Sequence, residues 1–236
     1  MPIPTHSTTT SRLLAALPQV EFERLRPHLE PVHFRAGKLI YDIDDPIQHV
    51  YFPTCGMVSL LSMTETGSRV EVGMIGSEGM VGLAIILGVA RTPYRVEAQL
   101  TADTLRLRVA ILIDELRRGG HLRALLLRYT YTVLKQITQS AVCNRFHTTE
   151  ERFCRWLLTA RGCAQTDSFH LTQESMSHML GVPRTSVTMI AGRLQQLRLI
   201  AYSRGRITIL DRPGLRRAAC ECHDIIQDTI NHFLVA

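Results

Sequence analysis

The chain lacks a long hydrophobic run. Its longest apolar stretch, residues 80–90 of 236, is interrupted by Gly82 and Gly88. That falls far short of the roughly 20 apolar residues that a membrane-crossing helix needs, so no membrane partner is expected. Nor does the sequence open on a cationic segment followed by an apolar core. Residues 1–11, rich in Pro, Thr and Ser, are read as a mobile tail rather than an export signal, and the expected location is the cytoplasm. A disulfide framework is missing too. Cys55, Cys143, Cys154, Cys163, Cys220 and Cys222 are scattered, without the spacing of a disulfide scaffold, a zinc finger or an iron–sulfur set, and reduced thiols are the simplest reading. Cys220 and Cys222, followed by His223, could hold a metal or respond to oxidant. Two neighbouring thiols without further ligands make an incomplete site, however, and the sequence requires no metal or cofactor. His28, His33 and His49 do not form the His-x-His pair of a metal-dependent jelly-roll enzyme, which argues against catalysis.

What is present divides the chain into segments of different period. Two short helices are expected at residues 11–17 and 20–29, the first capped by Thr10 or Ser11. From about residue 30 to 110 the apolar residues alternate in short runs, as in Val50 and Phe52, Val58 and Leu60, Val70 and Val72, or Leu105 and Leu107, with Gly and Pro between runs. That pattern predicts a jelly roll, the core of a first domain at residues 12–120. Inside it, residues 75–98 depart from strand logic. Gly76, Gly79 and Gly82, a short helix at 83–87, then Arg91 and Thr92 could cradle an anion, or the glycines could simply turn the chain at a barrel corner.

Beyond Ile111 the period becomes helical. Leu122, Leu126, Tyr129, Val133, Gln136, Ser140 and Cys143 recur at spacings of four and three, a heptad seam on a helix about 36 Å long over residues 121–144. Pairing with its copy in a second subunit is the expected use of this seam. The alternative is burial against the chain's own β domain, because Leu125, Leu127 and Ile137 widen the stripe. Residues 121–147 are thus assigned to a dimerisation helix and hinge.

The last segment, residues 148–236, reads as a DNA-binding domain. Thr148 and Glu151 form a capping box for a first helix. Thr172 caps a second, Gly181 breaks it, and Pro183 starts a third on which Val187, Ile190, Ala191, Leu194 and Leu197 share one side. Arg184, Thr185, Thr188, Met189 and Gly192 share the other, with no carboxylate among them, as a helix that reads base edges requires. An ordinary helical hairpin would show the same spacing. The stretch that follows argues against it: residues 199–202 and 207–210 flank Ser203-Arg204-Gly205-Arg206 as a basic β-hairpin, a wing. Residues 170–217 carry a net +6, equal to the formal charge of the whole chain, the distribution of a phosphate-binding surface. A final helix from Asp211 carries Ile225, Ile226, Thr229, Ile230 and Phe233 on one face; packing on this domain and a share in the subunit contact are both open.

In this order, a β-roll, a glycine-rich cassette with an arginine, a long helix and a winged helix resemble the Crp/Fnr family of bacterial transcription regulators over about residues 13–217. The most specific part is LTQESMSHMLGVPRTSVTMIAGRLQQLRLI at 171–200. The resemblance implies an α+β fold, with an N-terminal double-stranded β-helix (jelly roll), a long dimerisation helix and a C-terminal winged helix-turn-helix. It implies a homodimer on double-stranded DNA with two half-sites, Arg184 pairing with a guanine. Thr185, Ser186, Thr188 and Met189 would lie at neighbouring bases or phosphates, and Thr172, Gln173, Arg204 and Arg206 on the backbone. Where the cAMP receptor subgroup carries a Glu and a second Arg on this helix, the chain has Thr185 and Met189, so that subgroup's operator does not carry over. The effector cassette matches at Gly79, Met80, Gly82, Leu83, Arg91 and Thr92, but Met80 stands where cAMP-binding members place a Glu, and a thioether cannot hold ribose hydroxyls as a carboxylate does. Binding of cAMP in the usual manner is therefore not expected. A small effector and RNA polymerase are further candidate partners. The loop at 161–168, where some members touch the polymerase, has no readable motif, which leaves activator and repressor open. The rival reading is a ligand-sensing module that acts through protein partners.

Overall fold

The computed structural model describes residues 11–235; the first ten residues of the expected tail lie outside them. Ser11, the last residue of that tail and one of the two expected caps of the first helix, is buried at the N-cap of α1 (Arg12–Ala15), where its side chain accepts from Leu14 N–H. Helix α2 (Gln19–Leu25) follows. The β-roll is built from β1 (Glu30–Phe34), β2 (Leu39–Tyr41), β3 (His49–Cys55), β4 (Val58–Met63), β5 (Arg69–Ile75), β6 (Arg95–Ala98) and β7 (Ala102–Arg108). They form two antiparallel sheets of order β1-β7-β3 and β2-β6-β4-β5. Alternation works as the sequence requires: Val50 and Phe52 of β3 point into the core with Val58, Ile75 and Leu107. Gly56 joins β3 to β4 at φ +83°, and a Cβ there would stand 2.1 Å from the Thr101 carbonyl oxygen, so this crossing admits no side chain.

Helix α3 (Val109–Arg118) stops at Gly119 and Gly120, and α4 (His121–Phe146) begins. Glu21 of α2 caps α4, accepting from the N–H groups of His121 and Leu122 at 2.9 and 2.7 Å. Desolvation pushes the Glu21 carboxyl up, but these two backbone hydrogen bonds outweigh it together with Arg24 and His121, and the net shift is downward.

The face of α4 expected to meet a second subunit is used inside the protomer. Leu122, Leu126, Tyr129 and Val133 lie in the core of the β-roll, Gln136 donates to the Met74 carbonyl at 3.2 Å, and Ser140 and Cys143 are buried. A heptad spacing marks an apolar face without naming what covers it, and here β5 and the last helix do. The large apolar residues of α4 left in solvent are Leu127, Tyr131, Leu134, Val142 and Phe146.

The second module starts at α5 (Thr149–Ala164), with the Thr148–Glu151 capping box formed. Then come β8 (Ser168–His170), α6 (Gln173–Leu180), α7 (Arg184–Gln196), β9 (Ile200–Ser203), β10 (Arg206–Ile209) and α8 (Arg212–Ala218). Strands pair in the order β8-β10-β9. Phe153, Trp156, Leu157, Met176, Leu180, Val187, Leu194, Ile207 and Leu215 make its core, joined by Met57, Met74 and Leu100 of the β-roll. The final helix is two helices: α8 ends at Ala219 in extended conformation, and α9 (Cys222–Val235) turns back. Ile226, Ile230 and Phe233 of α9 enter the β-roll core beside α4, each burial stabilising by about 1.5–3 kcal/mol. Residues 222–235, grouped by the sequence with the winged helix, therefore pack with the first domain.

Candidate functional site

The helix-turn-helix is set by three backbone devices. Thr172 Oγ1 accepts from Ser175 N–H at 3.1 Å and caps α6. Gly181 ends it at φ +64°. Pro183 sits at the N-cap of α7 rather than its first turn. Val187, Ala191 and Leu194 are buried beneath α7, which leaves Arg184, Thr185, Thr188 and Met189 exposed along its outer side and Ser186 half-buried. Thr188 Oγ1 lies 3.0 Å from the Arg184 carbonyl and 3.2 Å from Gln173 Oε1, which ties α7 to α6. The wing turn is Arg204-Gly205, both at positive φ between the paired Ser203 and Arg206, the primed geometry of a two-residue hairpin. Arg204 and Arg206 are exposed, and Arg206 also donates to Ser168 Oγ at 3.3 Å. Among the described residues neither of them, nor Arg184, makes an ion pair, whereas Arg193 pairs with Glu150. Three guanidinium groups of this module thus stand exposed without an ion-pair partner among the described residues.

The cassette is less open. Met80 is fully buried, and its carbonyl accepts from Tyr129 Oη at 3.1 Å. A Cβ on Gly79 would stand 2.5 Å from that phenol oxygen, so the glycine lets the long helix approach. Gly82, at φ +98°, and Leu83 open the short 3-10 turn at Leu83–Leu87. Thr92 is buried and donates to the Tyr94 carbonyl, while Arg91 is exposed and held by Asp44. The structure does not bring Arg91 and Thr92 together as an anion cradle. The cavity beside them is about 120 Å³ and lined by Tyr41, Leu60, Leu83, Tyr94, Val96, Tyr129 and others, without a charged residue.

Two features escaped the sequence. One is the exposed stripe of α4, of which the sequence pattern marks Leu127 alone, and that as widening the other face. The other is the thiol cluster. Cys220 and Cys222 meet Cys143 and His147, with ligand atoms within 4.8 Å of one another, while His223 is outside the set. The pair that is incomplete along the chain is completed by residues 75 and 77 positions away, a separation that leaves no signal in one sequence. The hydrogen bond with Cys220 lowers the Cys143 thiol strongly, aided by the charge of Arg155.

Comparisons with known proteins follow the same division. A family model described as "Cyclic nucleotide-binding domain" matches residues 31–118, and one described as "Crp-like helix-turn-helix domain" matches residues 151–218. A "Global nitrogen regulator" of Synechococcus elongatus is 21% identical over 196 residues, 79% of this chain and 88% of that protein. Among solved structures, a putative transcriptional regulator of the Crp/Fnr family from Eubacterium rectale superposes with a TM-score of 0.68 at 18% identity, covering 87% of this chain and 96% of that one. FixK2 from Bradyrhizobium japonicum gives 0.68 at 16%, covering 81% and 98%.

Proposed function

The chain belongs to the Crp/Fnr family of transcription regulators, and from that premise we infer that it reads a two-half-site DNA operator as a homodimer without cAMP control of the usual kind. One observation carries the DNA reading: Arg184, Thr185, Thr188 and Met189 stand in solvent at the N-terminal half of α7, and neither Arg184 nor the exposed wing arginines Arg204 and Arg206 make an ion pair among the described residues. Arg184 pairs bidentately with a guanine, Thr185, Ser186, Thr188 and Met189 sit over neighbouring bases or phosphates, and Thr172, Gln173, Arg204 and Arg206 position the backbone. The dimer forms through Leu127, Tyr131, Leu134 and Val142 and through the groove of about 710 Å³ that Tyr131, Ile225, Thr229 and Phe233 line between α4 and α9, an apolar surface that a twofold copy would cover. A twofold dimer sets its half-sites about one helical turn apart.

Control by cAMP is unsupported for a physical reason. A phosphate needs a cationic or N–H-rich cradle, and the cassette offers an apolar cavity of about 120 Å³ with its arginine outside, on Asp44. Genome-wide footprinting with purified protein, with and without a panel of nucleotides, tests both parts. Protected sites with two half-sites, unchanged by cAMP, are expected. No affinity for duplex DNA would favour a module that acts on protein partners, and cAMP-dependent protection would overturn the effector reading.

A further inference from the structure

At the hinge, four ligand-type side chains from distant parts of the chain converge. Cys143 is in the last turn of α4, His147 is its C-cap residue, and Cys220 and Cys222 frame the bend between α8 and α9. Cys143 Sγ is 3.5 Å from Cys220 Sγ, and Cys222 Sγ is 3.5 Å from His147 Nδ1. Zinc–sulfur bonds of about 2.3 Å in a tetrahedron place neighbouring ligands about 3.8 Å apart. These two edges are thus within a few tenths of an ångström of what such an ion demands, and the remaining ones, all under 4.8 Å, would close by about 1 Å at most. It is also too compact for a polynuclear iron–sulfur centre, whose sulfurs must straddle several metal atoms.

The surroundings fit as well. His147 turns Nδ1 to the thiols and has Nε2 3.2 Å from Glu221 Oε1, the carboxylate–imidazole pairing that fixes the tautomer of a metal-bound histidine. Gln139 Nε2 donates to Cys222 Sγ at 3.0 Å. Three thiolates around a divalent ion leave one net negative charge. Arg155, buried on α5 and acting electrostatically on Cys143 and Cys220, supplies the opposite one. Its Nε and Nη1 make no hydrogen bond among the described residues, an arrangement that is costly beside neutral thiols and offset beside an anionic complex.

We propose that Cys143, His147, Cys220 and Cys222 form a tetrahedral site for one thiophilic divalent cation of the zinc class, clasping the hinge end of α4 to the start of α9. On binding, each cysteine gives its proton to solvent and the imidazole binds neutral, with no change of oxidation state. The ion joins elements that flank the DNA-reading module on both sides, residues 143–147 before it and 220–222 after it, and so fixes how that module sits on the long helix. The site is distinct from the DNA-facing arginines and from the cassette.

The test uses the full chain, reduced and stripped with a chelator, then titrated with zinc against a chromophoric competitor and separately with cobalt(II). One ion per chain is expected, with the intense visible bands and sulfur-to-cobalt charge transfer of a tetrahedral thiolate site and a zinc-dependent rise in Tm. Cys220→Ser should abolish the charge-transfer band's full intensity. Glu221→Gln, at an exposed carboxylate, should weaken zinc roughly tenfold or more while keeping the fold, and Cys55→Ser should change nothing. Absence of stoichiometric binding by the reduced wild-type chain, a six-coordinate cobalt spectrum, or a Cys143–Cys220 disulfide forming where the ion should sit would each overturn the proposal.

Discussion

Glu71 is a carboxyl group sealed between two domains. Ser59 of the β-roll hydrogen-bonds one oxygen, and Trp156 Nε1 of α5 donates to the other at 2.9 Å. Burial pushes its pKa up to about 7, against the opposing pull of Ser59, Arg155 and Trp156. Because the folded value lies above the unfolded one, Glu71 contributes stability that is full below about pH 4.5 and lost as pH rises through about 7, on the order of 3 kcal/mol. Glu71→Gln can keep its oxygen on Trp156 Nε1 while its amide nitrogen donates to Ser59 Oγ, and it cannot ionise. The urea midpoint of the wild type should fall between pH 5 and 8 relative to that of the variant, and parallel profiles would refute the assignment. Arg184 gives a different residue-scale prediction. Arg184→Ala should cost about 1–3 kcal/mol at one base pair and little elsewhere, measured by anisotropy on point-varied operators; equal loss at every position would rule out base reading.

At the scale of elements, α4 shows what a sequence tells and what it withholds. The heptad of Leu122, Leu126, Tyr129 and Val133 announced a helix and an apolar face, and both exist. Its partner was not legible, because spacing is blind to the neighbour, and the β-roll and α9 occupy that face. The solvent stripe is broken by Thr138 and by charged positions, so it reads as surface until the other side is seen to be filled. Tyr131 and Leu134 are 65% and 61% exposed in the protomer. A charge placed there leaves the core untouched and meets its own copy across a twofold axis. Leu134→Asp should therefore raise the dimer dissociation constant by roughly 100-fold or more without lowering Tm, as read by sedimentation. An unchanged mass would sink this face as the subunit contact. The helix-turn-helix was legible for the opposite reason. Thr172, Gly181, Pro183 and Val187 lie within one short stretch, and each acts through its own backbone or its own helix face. The cassette stands between these cases: its glycines were visible, but that Gly79 serves the phenol of Tyr129, and that Arg91 is held by Asp44, depends on elements far away in the chain.

Across the whole molecule, charge and packing are segregated. The β-roll, α4 and α9 share one core, while the net +6 of the chain resides in residues 170–217, with Arg184, Arg204 and Arg206 free of ion pairs among the described residues. A surface arranged in this way binds DNA largely by displacing counterions. If Arg204 and Arg206 each meet one phosphate in both subunits, four contacts give a slope of log affinity against log salt of about −3.6. Affinity then falls roughly 100-fold between 50 and 200 mM salt. Replacing both wing arginines with alanine should remove most of that slope while sparing the preference for one base pair over another, since Arg184 remains. Arg184→Ala should do the converse. The two variants measured over a salt series on matched and mismatched operators separate positioning from reading, and a wild-type affinity insensitive to salt would contradict phosphate contact by this lobe altogether.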